Sequence, residues 1–96
     1  MPNFMTRVVL HDAGSDREIY EELHQYMEEE GFTRLLQADL GERQLPDAMY
    51  DYRTNEEITS AQVRDRAKAA AAKTGKRHAV LTVRYSALAW SGLERP

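Results

Sequence analysis

Apolar and polar positions alternate along two segments of the chain, 48–53 and 78–85, and apolar residues recur at helical spacing along two others. These two alternating segments, together with 4–11 and 32–37, which hold residues that suit a pleated sheet, are predicted to be strands. Apolar residues three and four positions apart predict two amphipathic helices, marked by Ile19, Tyr20, Leu23, Tyr26 and Met27 and by Val63, Ala67, Ala70 and Ala71. The predicted order is strand–helix–strand–strand–helix–strand.

Both predicted helices carry sequence signals at their two ends. Each begins at a capping box and ends at a glycine that suits a left-handed cap: Ser15 with Glu18 and then Gly31, Thr59 with Gln62 and then Gly75. These signals support the helices independently of their apolar stripes.

This order of elements predicts an α+β fold. Two right-handed crossovers place four strands in one antiparallel sheet with both helices on one face, the ferredoxin-like βαββαβ sandwich. A chain of 96 residues, 42% hydrophobic and 30% charged, has the size and composition of one globular domain. We therefore predict a single ferredoxin-like domain over 1–96, in which 86–96 form a C-terminal tail that contains Trp90.

The sheet face away from the helices is predicted to stay open. By alternation this face displays Arg7, Val9 and His11 from the first strand and His78, Val80, Thr82 and Arg84 from the last. A face that is half apolar and half basic suits self-association or contact with a polyanion, so we expect a homodimer. The tail either docks or swaps at that interface through Trp90, or packs back on its own sheet edge.

Composition excludes several classes of protein. Without cysteine the chain has no disulfide framework, thiolate chemistry or zinc knuckle. No apolar run approaches the ~20 residues that span a membrane, and residues 1–5 lack a signal-peptide pattern. We expect a cytoplasmic protein without membrane contact.

Charge is segregated along the chain. Residues 16–30 hold seven acids and one arginine, whereas 56–85 hold seven bases and three acids. This asymmetry indicates either a basic binding face with an acidic back or two neighbouring helices that attract each other. Arg64, Lys68 and Lys76 are accordingly candidates to follow an RNA backbone, with a solvated helix face as the alternative.

Two residues are candidates for acid–base chemistry. Asp12 follows the first predicted strand, where a carboxylate could take a proton from a ribose hydroxyl or hold a divalent metal; a turn-forming role is the alternative. His24 could donate a proton near neutral pH, or be a solvated helix residue. The three histidines are dispersed, so we predict no histidine metal site.

Two tyrosines of the third predicted strand, Tyr50 and Tyr52, could stack bases, but core packing or a dimer contact is favoured.

Three short stretches and their spacing to the second helix carry a family resemblance: VVLHD at 8–12, MEEEGF at 27–32 and QLP at 44–46. The chain resembles the GhoS-type antitoxins of type V toxin–antitoxin systems and their ferredoxin-like relatives. Members of that family are small endoribonucleases that degrade the messenger RNA of their toxin.

The resemblance implies an endoribonuclease that cleaves single-stranded mRNA. The acidic residue of the family after the first strand falls on Asp12, as base or metal ligand, and a basic position of the first helix falls on His24, as acid. The family has arginine at that position, and a histidine binds phosphate less firmly. No cofactor is implied beyond Mg²⁺ in a metal-assisted mechanism. The rival interpretation is a non-catalytic dimeric module that binds a protein partner through the open sheet and the tail.

Overall fold

The computed structural model describes residues 2–11, 17–38 and 41–96, which form two helices and five strands. These are β1 (Asn3–Leu10), α1 (Arg17–Glu29), β2 (Leu35–Ala38), β3 (Gly41–Gln44), β4 (Met49–Arg53), α2 (Ser60–Ala72) and β5 (His78–Tyr85). The predicted α+β class and the two predicted helices are confirmed. The capping box predicted at Ser15 lies outside the described residues, and so does Asp12.

Helix ends follow the local chemistry of the chain. At the start of α2, the Thr59 hydroxyl accepts a hydrogen bond from the Gln62 N–H (3.1 Å), and the Gln62 side-chain oxygen accepts one from the Thr59 N–H (2.9 Å). This reciprocal capping box was predicted. After α1, Gly31 adopts φ +97°, and a Cβ there would lie 3.2 Å from the Tyr52 ring. Glycine is required at that position by both its backbone angle and its close neighbour.

The main sheet has the strand order β4–β1–β5, with both pairs antiparallel. Thr6, in the middle of β1, faces Tyr50 of β4 on one side and Thr82 of β5 on the other. The hydroxyls of Thr6 and Thr82 are hydrogen-bonded at 2.7 Å, which satisfies the fully buried Thr6 side chain. β1 is therefore the central strand of the main sheet.

The prediction of four strands in one sheet is met only in part. Thr33 forms a single antiparallel bridge with Asp51 of β4, through N–H to O distances of 2.9 and 2.7 Å in the two directions. The Thr33 hydroxyl then accepts from the Leu35 N–H, which turns the chain away from β4. β2 pairs with β3 instead, in a separate two-stranded sheet. β3 was missed because its sequence, GERQ, is polar and does not alternate.

Both helices pack on the same face of the main sheet. The core that they form is made of apolar side chains: Phe4, Val8, Leu10, Ile19, Leu23, Met27, Phe32, Tyr50, Tyr52, Ile58, Val63, Ala67, Ala70 and Ala71. Three of the six alanines of α2, Ala67, Ala70 and Ala71, are completely buried, since small side chains let this helix lie close to β1 and β5. Burial of this surface is the main stabilising contribution to the fold.

The opposite face of the sheet is covered at one end. Met5 packs there with Leu36 and Leu45, joined by the partly buried Leu93 of the tail. The Gln44 N–H donates to the Glu94 carbonyl at 2.8 Å, which ties the tail to β3. The tail therefore docks on the hairpin of its own chain.

The predicted assignment of the faces of β5 is wrong. The register places Val83 opposite Met5 and Leu81 opposite Arg7, so the odd-numbered residues of β5 lie on the face away from the helices. Val80 instead packs toward the helical core. The more apolar face of this strand is consequently exposed, with Leu81 at 66% and Val83 at 47% of full exposure. Thr82 also lies on the helical side, where its hydroxyl is hydrogen-bonded to that of Thr6.

Among the described residues, no helix is long and apolar enough to cross a membrane.

Candidate functional site

A cleft of about 600 Å³ lies between α1, β1 and the segment that precedes β4. This volume is within the range of small-ligand sites. Ala48 lies on its wall with φ +62°, the left-handed region that non-glycine residues rarely adopt. The Val8 N–H donates to the Ala48 carbonyl at 3.0 Å, so a hydrogen bond to β1 holds the strained residue in place. Strain of this kind is concentrated at functional sites.

His24 lies in this cleft, on the side of α1 next to β4. Its Nδ1 is 2.6 Å from the hydroxyl oxygen of Tyr50, and the two ring centroids are 5.7 Å apart. Burial lowers the pKa of His24 below its ordinary value of 6.5, and the positive charge of Arg34 lowers this pKa further. Glu21 and Asp47 oppose the shift. The imidazole is consequently neutral at pH 7, with Nε2 left for a ligand.

Three arginines give the cleft an excess of positive charge. Arg7, Arg17 and Arg34 line it, against the carboxylates of Glu21 and Asp47. Arg34 lies 3.5 Å from Asp47, whose side chain is 97% exposed, so this ion pair is weak. The Nε of Arg34 is buried without a hydrogen-bond partner among the described residues. A buried donor without a partner favours an acceptor such as a phosphate oxygen.

A second cleft of about 290 Å³ adjoins the first. His24 and Arg34 line both clefts. The smaller cleft has a mixed lining that includes Gln25, Phe32 and Thr33. Together the two clefts form one groove, and His24 and Arg34 line both of its parts. The shape of this groove suits an extended ligand.

The structure brings only some of the predicted site residues together. His24 lies in the groove, but Arg64, Lys68 and Lys76 do not line either cleft. Arg64 is on the exposed side of α2, where its guanidinium contacts Asp65 at 2.9 Å. Lys68 is also exposed on α2, and Lys76 lies in the turn before β5. The position of Asp12 relative to the groove is outside the described residues.

Sequence reasoning missed Arg34 and Tyr50 as site residues. Arg34 is the one charged residue of the stretch FTRLLQ, and such a lone charge inside a predicted strand is the signal that could have identified it. Tyr50 was assigned to core packing, which is correct for its ring. Only its register opposite Thr6 shows that its hydroxyl reaches α1.

A second polar cluster, on the opposite sheet face, is a structural feature. The buried Asp51 carboxylate accepts from the Tyr85 hydroxyl at 2.6 Å and from the Arg53 Nε at 2.9 Å. Burial first, and then the hydrogen bond to Asp51, raise the pKa of Tyr85 to about 12. Because each carboxylate oxygen accepts one of these hydrogen bonds, this cluster holds β4 and β5 together across β1.

The function is argued from the groove, because no protein-family model matches the chain and no curated protein is significantly similar to it. Among residues 2–11, 17–38 and 41–96, no group of three or more histidine, aspartate or glutamate side chains is placed to hold a metal ion.

Proposed function

We propose that this protein binds single-stranded RNA in the groove beside α1 and cleaves it, acting as a GhoS-like endoribonuclease in the cytoplasm. The observation that carries the proposal is His24 in a cleft with three arginines. Phosphodiester cleavage needs positive charge on the phosphate and a proton-transferring group within reach, and this cleft supplies both residue types.

Each group has a distinct role in the proposed reaction. The 2′-oxygen forms a bond to phosphorus while the bond from phosphorus to the 5′-oxygen breaks. Asp12 takes the proton of the 2′-hydroxyl. His24 gives one to the departing 5′-oxygen from its protonated form, which is the minor form at pH 7 because burial and Arg34 lower its pKa. Arg34 binds the phosphate, whose negative charge grows as the reaction proceeds. Mg²⁺ held by Asp12 is the metal-assisted version of the same reaction.

We also propose that the fold is ferredoxin-like. The bridge from Thr33 to Asp51 lies on the side of β4 away from β1, where a fourth strand would pair. Counting that bridge as a one-residue edge strand gives the order of a βαββαβ sandwich, and both helices pack on one face of the sheet as that arrangement requires.

The test is cleavage of a labelled single-stranded RNA panel by the wild-type protein, with and without magnesium. We expect His24→Ala and Asp12→Asn to lower the rate by about 10²-fold or more. We expect Arg34→Ala to weaken binding by about 10-fold or more, because it removes charge-assisted hydrogen bonds. Arg95→Ala, which removes an exposed arginine of the tail, is the matched control.

Two outcomes would contradict this proposal. Cleavage that persists unchanged in His24→Ala and Asp12→Asn would contradict the proposed roles. Absence of both binding and cleavage in the wild-type protein would reject an RNA-directed function and favour the second candidate.

That second candidate is a dimeric interaction module. It is favoured by the exposed apolar patch of Val9, Leu81 and Val83, which share the face of β1 and β5 away from the helices. Exposed neighbouring side chains of this kind are typical of a contact surface. We propose a second copy of the chain as the occupant, through this patch and not the half-apolar, half-basic one expected from the sequence.

Light scattering at several protein concentrations tests the dimer. We expect a mass of two chains that falls toward one chain in Leu81→Gln. Leu88→Gln, which changes an exposed leucine of the tail, is the matched control and should leave the mass unchanged. A wild-type mass of one chain at all concentrations would reject the dimer.

A further inference from the structure

We propose that Tyr50 is a positioning residue that fixes the tautomer of His24, so that His24 presents an Nε2–H donor to a phosphate oxygen in the cleft. The consequence for RNA rests on the proposed function. The tautomer itself rests on the contacts of Tyr50 alone, and it can be measured on the free protein.

Packing on several sides fixes the position of Tyr50. It lies in β4 opposite Thr6 and is 1% exposed. Its ring meets the Phe32 ring edge-on, with centroids 6.4 Å apart and planes at 79°. A buried ring held in this way leaves its hydroxyl in one position, beside α1.

The direction of the hydrogen bond follows from what the hydroxyl can contact. A buried hydroxyl needs an acceptor for its proton, and among the described residues the one hydrogen-bond partner of the Tyr50 hydroxyl is Nδ1 of His24, at 2.6 Å. The phenol keeps its proton, because burial raises the pKa of Tyr50 far above its ordinary value. The O–H therefore donates to the Nδ1 lone pair, and a neutral imidazole that accepts at Nδ1 carries its own proton on Nε2.

The surroundings of Nε2 indicate what it binds. Arg34 lines the cleft on both sides of His24, and its buried Nε–H has no partner among the described residues. Arg7 and Arg17 add charge on one side. The acids that face the ring, Glu21 and Asp47, make no hydrogen bond to it among the described residues. Donors from His24 and Arg34 thus suit an anion that offers several oxygens, such as a phosphate.

Long-range proton–nitrogen correlation spectra of the ¹⁵N-labelled protein at pH 7.5 test the tautomer, since they show which ring nitrogen carries the proton. We expect His24 to be protonated on Nε2 in the wild-type protein. Tyr50→Phe keeps the ring and removes the donor, so we expect a mixture of both tautomers there. Tyr20→Phe is the matched control, because Tyr20 lines the same cleft but its hydroxyl accepts from the Leu10 N–H. It should leave His24 on Nε2.

Titration with inorganic phosphate, followed by the His24 signals, tests the consequence. We expect Tyr50→Phe to bind phosphate about 2-fold more weakly, because about half of its His24 side chains would carry the proton on Nδ1 and be unable to donate from Nε2. Equal binding by Tyr50→Phe and the wild-type protein would overturn the positioning role.

The two proposals fail in different ways. A wild-type His24 protonated on Nδ1 would overturn this inference even if the protein cleaves RNA, and that result needs no variant to fold. A wild-type His24 protonated on Nε2, in a protein that neither binds phosphate nor cleaves RNA, would reject the proposed function and leave the tautomer established.

Discussion

At the scale of single residues, the surroundings of His24 favour its neutral form in the free protein. A protonated imidazole there would lie close to Arg34 in a partly buried site, and both burial and that charge oppose protonation. The Tyr50 hydroxyl also requires a free lone pair on Nδ1. Charge and hydrogen bonding therefore favour the same protonation state.

This preference has a consequence for stability. The pKa of His24 is lower in the folded protein than its ordinary value of 6.5, so the unfolded chain takes up the proton first as the pH falls. The contribution of His24 to the free energy of unfolding is therefore present above about pH 6.5 and is lost as the pH falls through the folded pKa. We expect a smaller loss of stability between pH 7 and pH 5 in His24→Gln than in the wild-type protein, measured by urea unfolding. An equal loss would contradict the direction of the pKa shift.

At the scale of elements, the predicted parts of the fold are those with strong local signals. The capping box at Thr59, the apolar stripe of α1 and the strand-favouring residues of β1 each specify a structure from neighbouring residues. β3 and the turn at Thr33 depend on tertiary contacts, since Leu36 leaves the main sheet to pack with Met5 on its far side. No local pattern encodes that choice.

The candidate site shows the same division. His24 was predicted because histidine transfers protons near neutral pH and because the family resemblance places a basic residue of the first helix at this position. Arg34 meets it from the segment between α1 and β2, and Tyr50 from β4, so only the turn after α1 and the register of the sheet bring them together. Arg64 was predicted from the charge pattern alone. That pattern does not specify whether a charged side chain on a helix lines a groove.

The capping box of α2 gives a prediction at this scale. Thr59→Ala removes the acceptor for the Gln62 N–H and should destabilise the protein by about 1 kcal/mol. In a domain of this size, that loss lowers the melting temperature by about 4–8 °C. Ser60→Ala is the matched control, because the neighbouring hydroxyl makes no hydrogen bond among the described residues. An equal shift in both variants would show that capping is not the cause.

At the scale of the whole molecule, the docked tail joins the hairpin to the main sheet. Trp90 lies against Arg43, whose guanidinium carbon is 5.5 Å from the ring centroid, and it stays 41% exposed. We expect Trp90→Ala to lower the free energy of unfolding by about 1–2 kcal/mol, which is less than the loss for a buried tryptophan. An exposed cation–π contact contributes about 0.5–1 kcal/mol, and part of the ring area is already in water. Thermal unfolding measures this. Leu88→Ala, at a similar exposure, is the control, and equal melting temperatures would show that the ring contributes no more than an exposed leucine.

The salt dependence of RNA binding distinguishes the groove from the basic surface of α2. Each phosphate contact with single-stranded RNA contributes about −0.7 to the slope of log affinity against log salt, so three arginines in the groove predict a slope of about −2. Arg34→Ala should make that slope shallower by about 0.7, whereas Arg95→Ala should not change it. If Arg64→Ala and Lys68→Ala reduce the slope and Arg34→Ala does not, RNA follows α2, as the charge pattern of the sequence suggested, and the groove is not the binding surface. Each of these variants loses one positive charge. A change in the slope therefore shows which position contacts a phosphate, even when the variants bind RNA with similar affinity.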